Sequence, residues 1–165
     1  MKYKKKDLKL NNFTVIHPPK ELSHNGTTVF LAGSIEMGKA SEWQVKIEEE
    51  VEKRMKDDQV ITIFNPRRKD WDSSWEQSID NDNFRGQVEW ELDGLEAADK
   101  IVVYIDPDTK SAITLMELGL HTNSNKMCVC CPEGFYRKGN VDIVCNKYNI
   151  PMVDDVDGLI DFILK

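Results

Sequence analysis

Short apolar runs alternate with amphipathic stretches along this chain, and that alternation restricts the folds open to it. Residues 27–32, 60–64, 100–105, 127–131 and 151–154 read as five strands. Several are apolar throughout, as strands covered on both faces are. The intervening segments have helical spacing. Trp43, Ile47, Val51 and Met55 recur every four residues, with Glu48, Glu49, Glu50, Glu52, Lys53 and Arg54 on other faces. In residues 84–98 the stripe reads as Val88, Leu92 and Leu95, with Glu91 displaced from it by one position. Residues 113–121, 139–148 and a terminal stretch containing Val156, Leu159, Ile160 and Ile163 complete the series. Strands joined through helices predict an α/β fold of three layers around a five-stranded, mainly parallel sheet. Residues 1–26 read as an irregular N-terminal extension, and 27–165 as a single domain.

The 165 residues suffice for one core without disulfides or metals. A formal net charge of -7 argues against a nucleic-acid polymer as partner, because such proteins present basic surfaces. The basic start, Met1 to Asp7, leads into no apolar segment and is expected to be a solvated terminus rather than a secretory signal. No window reaches transmembrane length, so no membrane partner is expected. Cys128, Cys130, Cys131 and Cys145 read as buried structural thiols of a cytoplasmic protein, with Cys128 and Cys130 on one strand face and Cys131 on the other. No spacing of Cys and His marks a metal site, and nothing marks a cofactor.

Ligands of such sheets bind beyond the carboxyl ends of the strands, and the distinctive segments all fall there. Gly33 and Ser34 follow the first strand; they suit close backbone approach to a ligand, and equally a plain turn and cap. Trp71 and Trp75 lie in a long polar loop, as a stacking platform for a base or as the loop's own small core. Gln87 and Glu91 share a helix face at i,i+4, which leaves Glu89 to solvent. Asp106 and Asp108 read as turn or cap residues. Glu117, between Met116 and Leu118 on an otherwise apolar helix, needs pairing or a function unless that face is exposed. Gly119 beside it would let another group approach the helix.

Several motifs in fixed order resemble the nucleoside 2-deoxyribosyltransferase-like family. They are Phe30 to Ile35, Asn65 to Arg68, Gln87 to Glu91, Ala98-Asp99, Thr114 to Gly119, and Cys131 to Phe135. The resemblance implies a flavodoxin-like fold, a nucleoside-binding catalytic domain, and a homodimer or higher homo-oligomer. It implies exchange of the base of 2'-deoxynucleosides through a covalent deoxyribosyl-glutamate, with small nucleosides and free bases as partners. The family's other branch, which hydrolyses the N-glycosidic bond of deoxynucleosides or their 5'-monophosphates, is the alternative, and a non-enzymatic nucleotide sensor is a third. By position, Glu117 resembles the nucleophile and Glu91 the acid that assists base departure, where an Asp is usual. Gly33, Ser34, Trp71, Trp75, Ser111 and Asn140 are the expected substrate-binding residues, Asn140 toward a neighbouring subunit's site. Phe30 stands where many members carry a Tyr. Glu36 replaces a phosphate-binding Arg of the hydrolase branch, so the resemblance favours an uncharged nucleoside unless Lys39, Arg67 or Arg68 compensates.

Overall fold

The computed structural model describes residues 12–36 and 40–165. In chain order the elements are β1 (Phe13–Ile16), β2 (Thr27–Gly33), α1 (Trp43–Arg54), β3 (Ile61–Phe64), α2 (Asp82–Ala97), β4 (Lys100–Tyr104), α3 (Ala112–Leu120), β5 (Met127–Cys130), α4 (Lys138–Lys147), β6 (Met152–Val153) and α5 (Val156–Leu164). All neighbouring strands pair in parallel, in the order β1-β3-β2-β4-β5-β6. The sheet therefore has six strands and not the expected five. The extra one is β1, inside the span read as irregular. Phe13 lies opposite Ile61 and Ile16 opposite Phe64, so β1 extends the sheet edge beyond β3. Without β1, the remaining order is that of flavodoxin-like sheets, with the topological switch between β2 and β4.

Strand alternation divides the core into two layers. Val29, Leu31, Ile61, Ile63, Val102, Cys128 and Cys130 face Trp43, Ile47 and Val51 of α1 and Leu159, Ile160 and Ile163 of α5. Phe30, Ala32, Ile101, Val103, Met127 and Val129 face the other way, with Trp90, Leu95, Leu118, Val141, Cys131 and Cys145. The cysteines divide as the alternation predicts; all four are buried free thiols, and burial pushes them up to about 11 or 12. No described helix is long and apolar enough to cross a membrane.

Helix α2 sits differently from its expected stripe. Its buried residues are Gln87, Trp90, Gly94 and Leu95, while Leu92 is 38% exposed. Gly94 allows the rotation: a Cβ there would stand 2.8 Å from the Phe30 ring, which also packs on Trp90. Asn81 caps the helix by accepting the Phe84 N–H at 3.0 Å. The rotation turns Glu91 toward the protein, where the sequence reading had it displaced from the core line.

Candidate active site

The crevice between the β2 and β4 ends is built around Ser34. Its N–H donates to the Tyr104 carbonyl at 3.0 Å, and its own carbonyl accepts the Trp43 indole N–H at 3.0 Å. Its hydroxyl accepts the Asp106 N–H at 2.9 Å and bonds to the hydroxyls of Thr109, at 3.0 Å, and Ser111. Thr109 and Ser111 close the triangle at 2.7 Å. Gly33 permits this closeness, since a Cβ there would meet the Tyr104 carbonyl at 2.4 Å and the Trp43 ring at 2.6 Å. Asp106 has the structural role expected of it, accepting the Asp108 N–H at 3.0 Å and, across the crevice, the Ser41 N–H at 3.0 Å.

Ser111 opens α3 in the left-handed region, at φ 47° and ψ 40°. Its side chain does not cap the helix. Glu36 reaches across instead, its carboxylate accepting the Lys110 N–H at 2.8 Å and the Ser111 N–H at 3.0 Å. The start of α3, which favours an anion, thus holds one from the chain itself. Arg67 pairs with Glu42 at 3.4 Å and Arg68 with Asp70 at 2.8 Å, so both arginines are engaged locally. Lys39 lies outside the described residues.

Glu117 projects from α3 into the protein and is 7% exposed. Burial, and then the charge of Glu91, push its carboxyl up to about 8. Burial raises Glu91 as well, while the Gln87 side-chain N–H, 2.6 Å away, holds it down. The same Gln87 nitrogen donates to the Pro66 carbonyl at 3.1 Å. Burial and the Glu91 charge thus both favour the protonated form of Glu117. Such a pair offers one nucleophile and one acid at once. Glu89 points outward, 3.8 Å from Arg85.

The other expected residues have surroundings of their own. Trp71 and Trp75 stack edge to face at 5.1 Å, with the Arg68 guanidinium 5.2 Å over Trp75, and both rings are half-buried. Asn140 lines an open groove of about 320 Å³ between α3 and α4, with Leu115, Gly119, Tyr136 and Val144. A Cβ on Gly119 would meet nothing within 4 Å, so this glycine faces open space rather than a close contact. Sequence reasoning missed Thr109, whose only signal is its position in the Asp106-Pro107-Asp108 turn.

Comparison with known proteins agrees with this arrangement at the level of family and fold. No curated protein sequence matches the chain. Among solved structures, the chain is similar to one described as a conserved protein from Enterococcus faecalis V583, with a TM-score of 0.58 and 15% sequence identity. The likeness covers 84% of this chain and 98% of that one, and it supports the fold alone. Residues 26–135, two thirds of the sequence and every residue of the crevice, match the family described as nucleoside 2-deoxyribosyltransferase like. With Gly33, Ser34, Glu91, Ser111 and Glu117 all inside that match, the chain belongs to the nucleoside 2-deoxyribosyltransferase-like family.

Proposed function

We propose that the protein is a nucleoside 2-deoxyribosyltransferase in which Glu117 is the nucleophile and Glu91 the acid. The observation that carries this reading is the buried Glu117, its carboxyl pushed up by burial and then by the charge of half-buried Glu91, with both residues inside the family match. Departure of the base leaves oxocarbenium-like charge at C1', which an adjacent carboxylate stabilises and then captures. The Glu117 oxygen bonds to C1' as the C1'–N bond breaks. The bond's electron pair stays on the base nitrogen, which takes the proton of the carboxylate pair. A second base reverses these steps and leaves as a new nucleoside.

Glu36 supports a substrate with a free 5'-hydroxyl. Its carboxylate already fills the two N–H groups that a 5'-phosphate would seek, and it adds charge repulsion. Ser111 favours the second reading, hydrolysis, since by resemblance the hydrolase branch carries Ser at that position. Exposed apolar residues on α3 support a homo-oligomer.

Mass spectrometry of the protein mixed with a deoxynucleoside tests the chemistry. The expected result is a deoxyribosyl adduct on the peptide bearing Glu117, and a new nucleoside once a different free base is added. Glu117→Ala is expected to lower turnover by about 10³-fold or more while still binding nucleoside. Release of base and sugar regardless of acceptor would instead establish the hydrolase, and preference for 5'-monophosphates would overturn the role given to Glu36. Tight binding without turnover across a broad panel would identify a sensor.

A further inference from the structure

Gln87 is 5% exposed and touches both Pro66, just beyond the end of β3, and Glu91. Its amide orientation is not free. The nitrogen faces two acceptors, the Pro66 carbonyl at 3.1 Å and Glu91 Oε1 at 2.6 Å. Turning the amide over would place its oxygen against both. The amide oxygen is buried and has no hydrogen-bond partner among the described residues. A bare buried carbonyl costs stability, so packing of the oxygen does not account for this side chain. The work of the amide lies in its nitrogen.

We propose that Gln87 is the positioning residue of the carboxylate pair: anchored on Pro66, its N–H keeps the negative charge on Glu91 and the pair's one proton on Glu117 until substrate arrives. The proposal rests on the reading of Glu91 and Glu117 as the reacting carboxylates. An N–H donor favours the ionised form of the group it faces. Glu117 has no such donor among the described residues, and the one charged side chain that bears on it is Glu91. Burial raises Glu91, and the Gln87 N–H holds it down. The resting state is therefore the reverse of the reacting one, with the nucleophile masked as an acid. As C1' gains positive charge, the ionised form of Glu117 becomes the favoured one. The proton passes by way of Glu91 to the departing base nitrogen, and Glu117 bonds to C1'. No proton is taken from water, and none is left over.

Infrared titration of the full chain without substrate tests this. At neutral pH, the band of a buried protonated carboxyl is expected to vanish in Glu117→Gln and persist in Glu91→Gln; the opposite assignment would overturn the proposal. In Gln87→Met, a near-isosteric change that removes the N–H, the acid step of the pair is expected to move up by about one to two pH units. The acid limb of kcat/KM should follow it. A folded Gln87→Met protein whose acid step stays in place would show the role to be merely structural. Should that variant fail to fold, the Glu117→Gln and Glu91→Gln comparison still decides where the proton sits. A protein whose acid step moves in Gln87→Met but that forms no adduct would retain this role for Gln87 and overturn the transferase reading alone.

Discussion

At the scale of single residues, the buried Glu117 carboxyl links function to stability. Its folded-state pKa of about 8 lies above the ordinary carboxyl range, so the folded protein holds this proton more tightly than the unfolded chain does. The resulting stabilisation is complete below the unfolded pKa, near pH 4.5, and is lost as pH rises through about 8. Glu117→Gln removes this dependence while keeping the shape. Denaturant unfolding at several pH values is therefore expected to show wild-type stability falling relative to the variant from about pH 5 to 8, by at most about 4 kcal/mol. Parallel stability curves would mean that Glu117 is as hydrated when folded as when unfolded. That result would also remove its claim to be half of a proton-sharing pair.

At the scale of elements, the placement of α2 decides whether Glu91 turns toward the protein or toward solvent. Gly94 lets the helix lie against Phe30, where an added methyl would come within 2.8 Å of the ring. Gly94→Ala is expected to lower stability by about 1–3 kcal/mol through this overpacking, although alanine is the better helix former. It should also lower turnover more than a stability loss alone would, because α2 carries Gln87 and Glu91 together. Thermal melts beside kinetics at a temperature where both proteins are folded separate the effects. This helix also shows where sequence reading stops. Apolar periodicity located α2, yet Leu92 scored as core and Glu91 as displaced, because a glycine and a glutamate do not register on an apolar stripe. Strand β1 escaped for a related reason: four residues at a sheet edge, half-buried, carry little signal beyond their pairing with β3. The i,i+4 logic did place Gln87 beside Glu91. The Ser34–Thr109–Ser111 cluster was out of reach, since it exists only because β2 and β4 are neighbours in the sheet. The link between Glu91 and Glu117 became visible in the sequence through family resemblance, as no local pattern joins residues 91 and 117.

At the scale of the whole molecule, α3 has two different faces. Glu117, its one charged residue, points inward. Outward it presents Ile113, Met116 and Leu120, which are 58%, 53% and 61% exposed, and Tyr136 and Ile143 are exposed as well. Three large apolar side chains at i, i+3 and i+7 form one stripe, and such contiguous exposure marks an association surface. A second copy is a suitable occupant, because an uncharged stripe meets its own image without like-charge contact. The formal charge of -7 per chain opposes that approach at long range. Salt screens this repulsion and does not weaken apolar burial. Light scattering is therefore expected to show a dimer or larger oligomer at micromolar concentration, held more tightly in about 0.5 M than in about 0.05 M salt. Combining Ile113→Glu with Met116→Lys should yield a monomer that still folds, because neither side chain belongs to the buried core. A wild-type monomer at both salt concentrations would overturn the assignment, and tighter association at low salt would point to charge pairs elsewhere as the contact. Because α3 carries Glu117 on its inner side, loss of turnover in a folded double variant would show that packing between copies holds α3 in place.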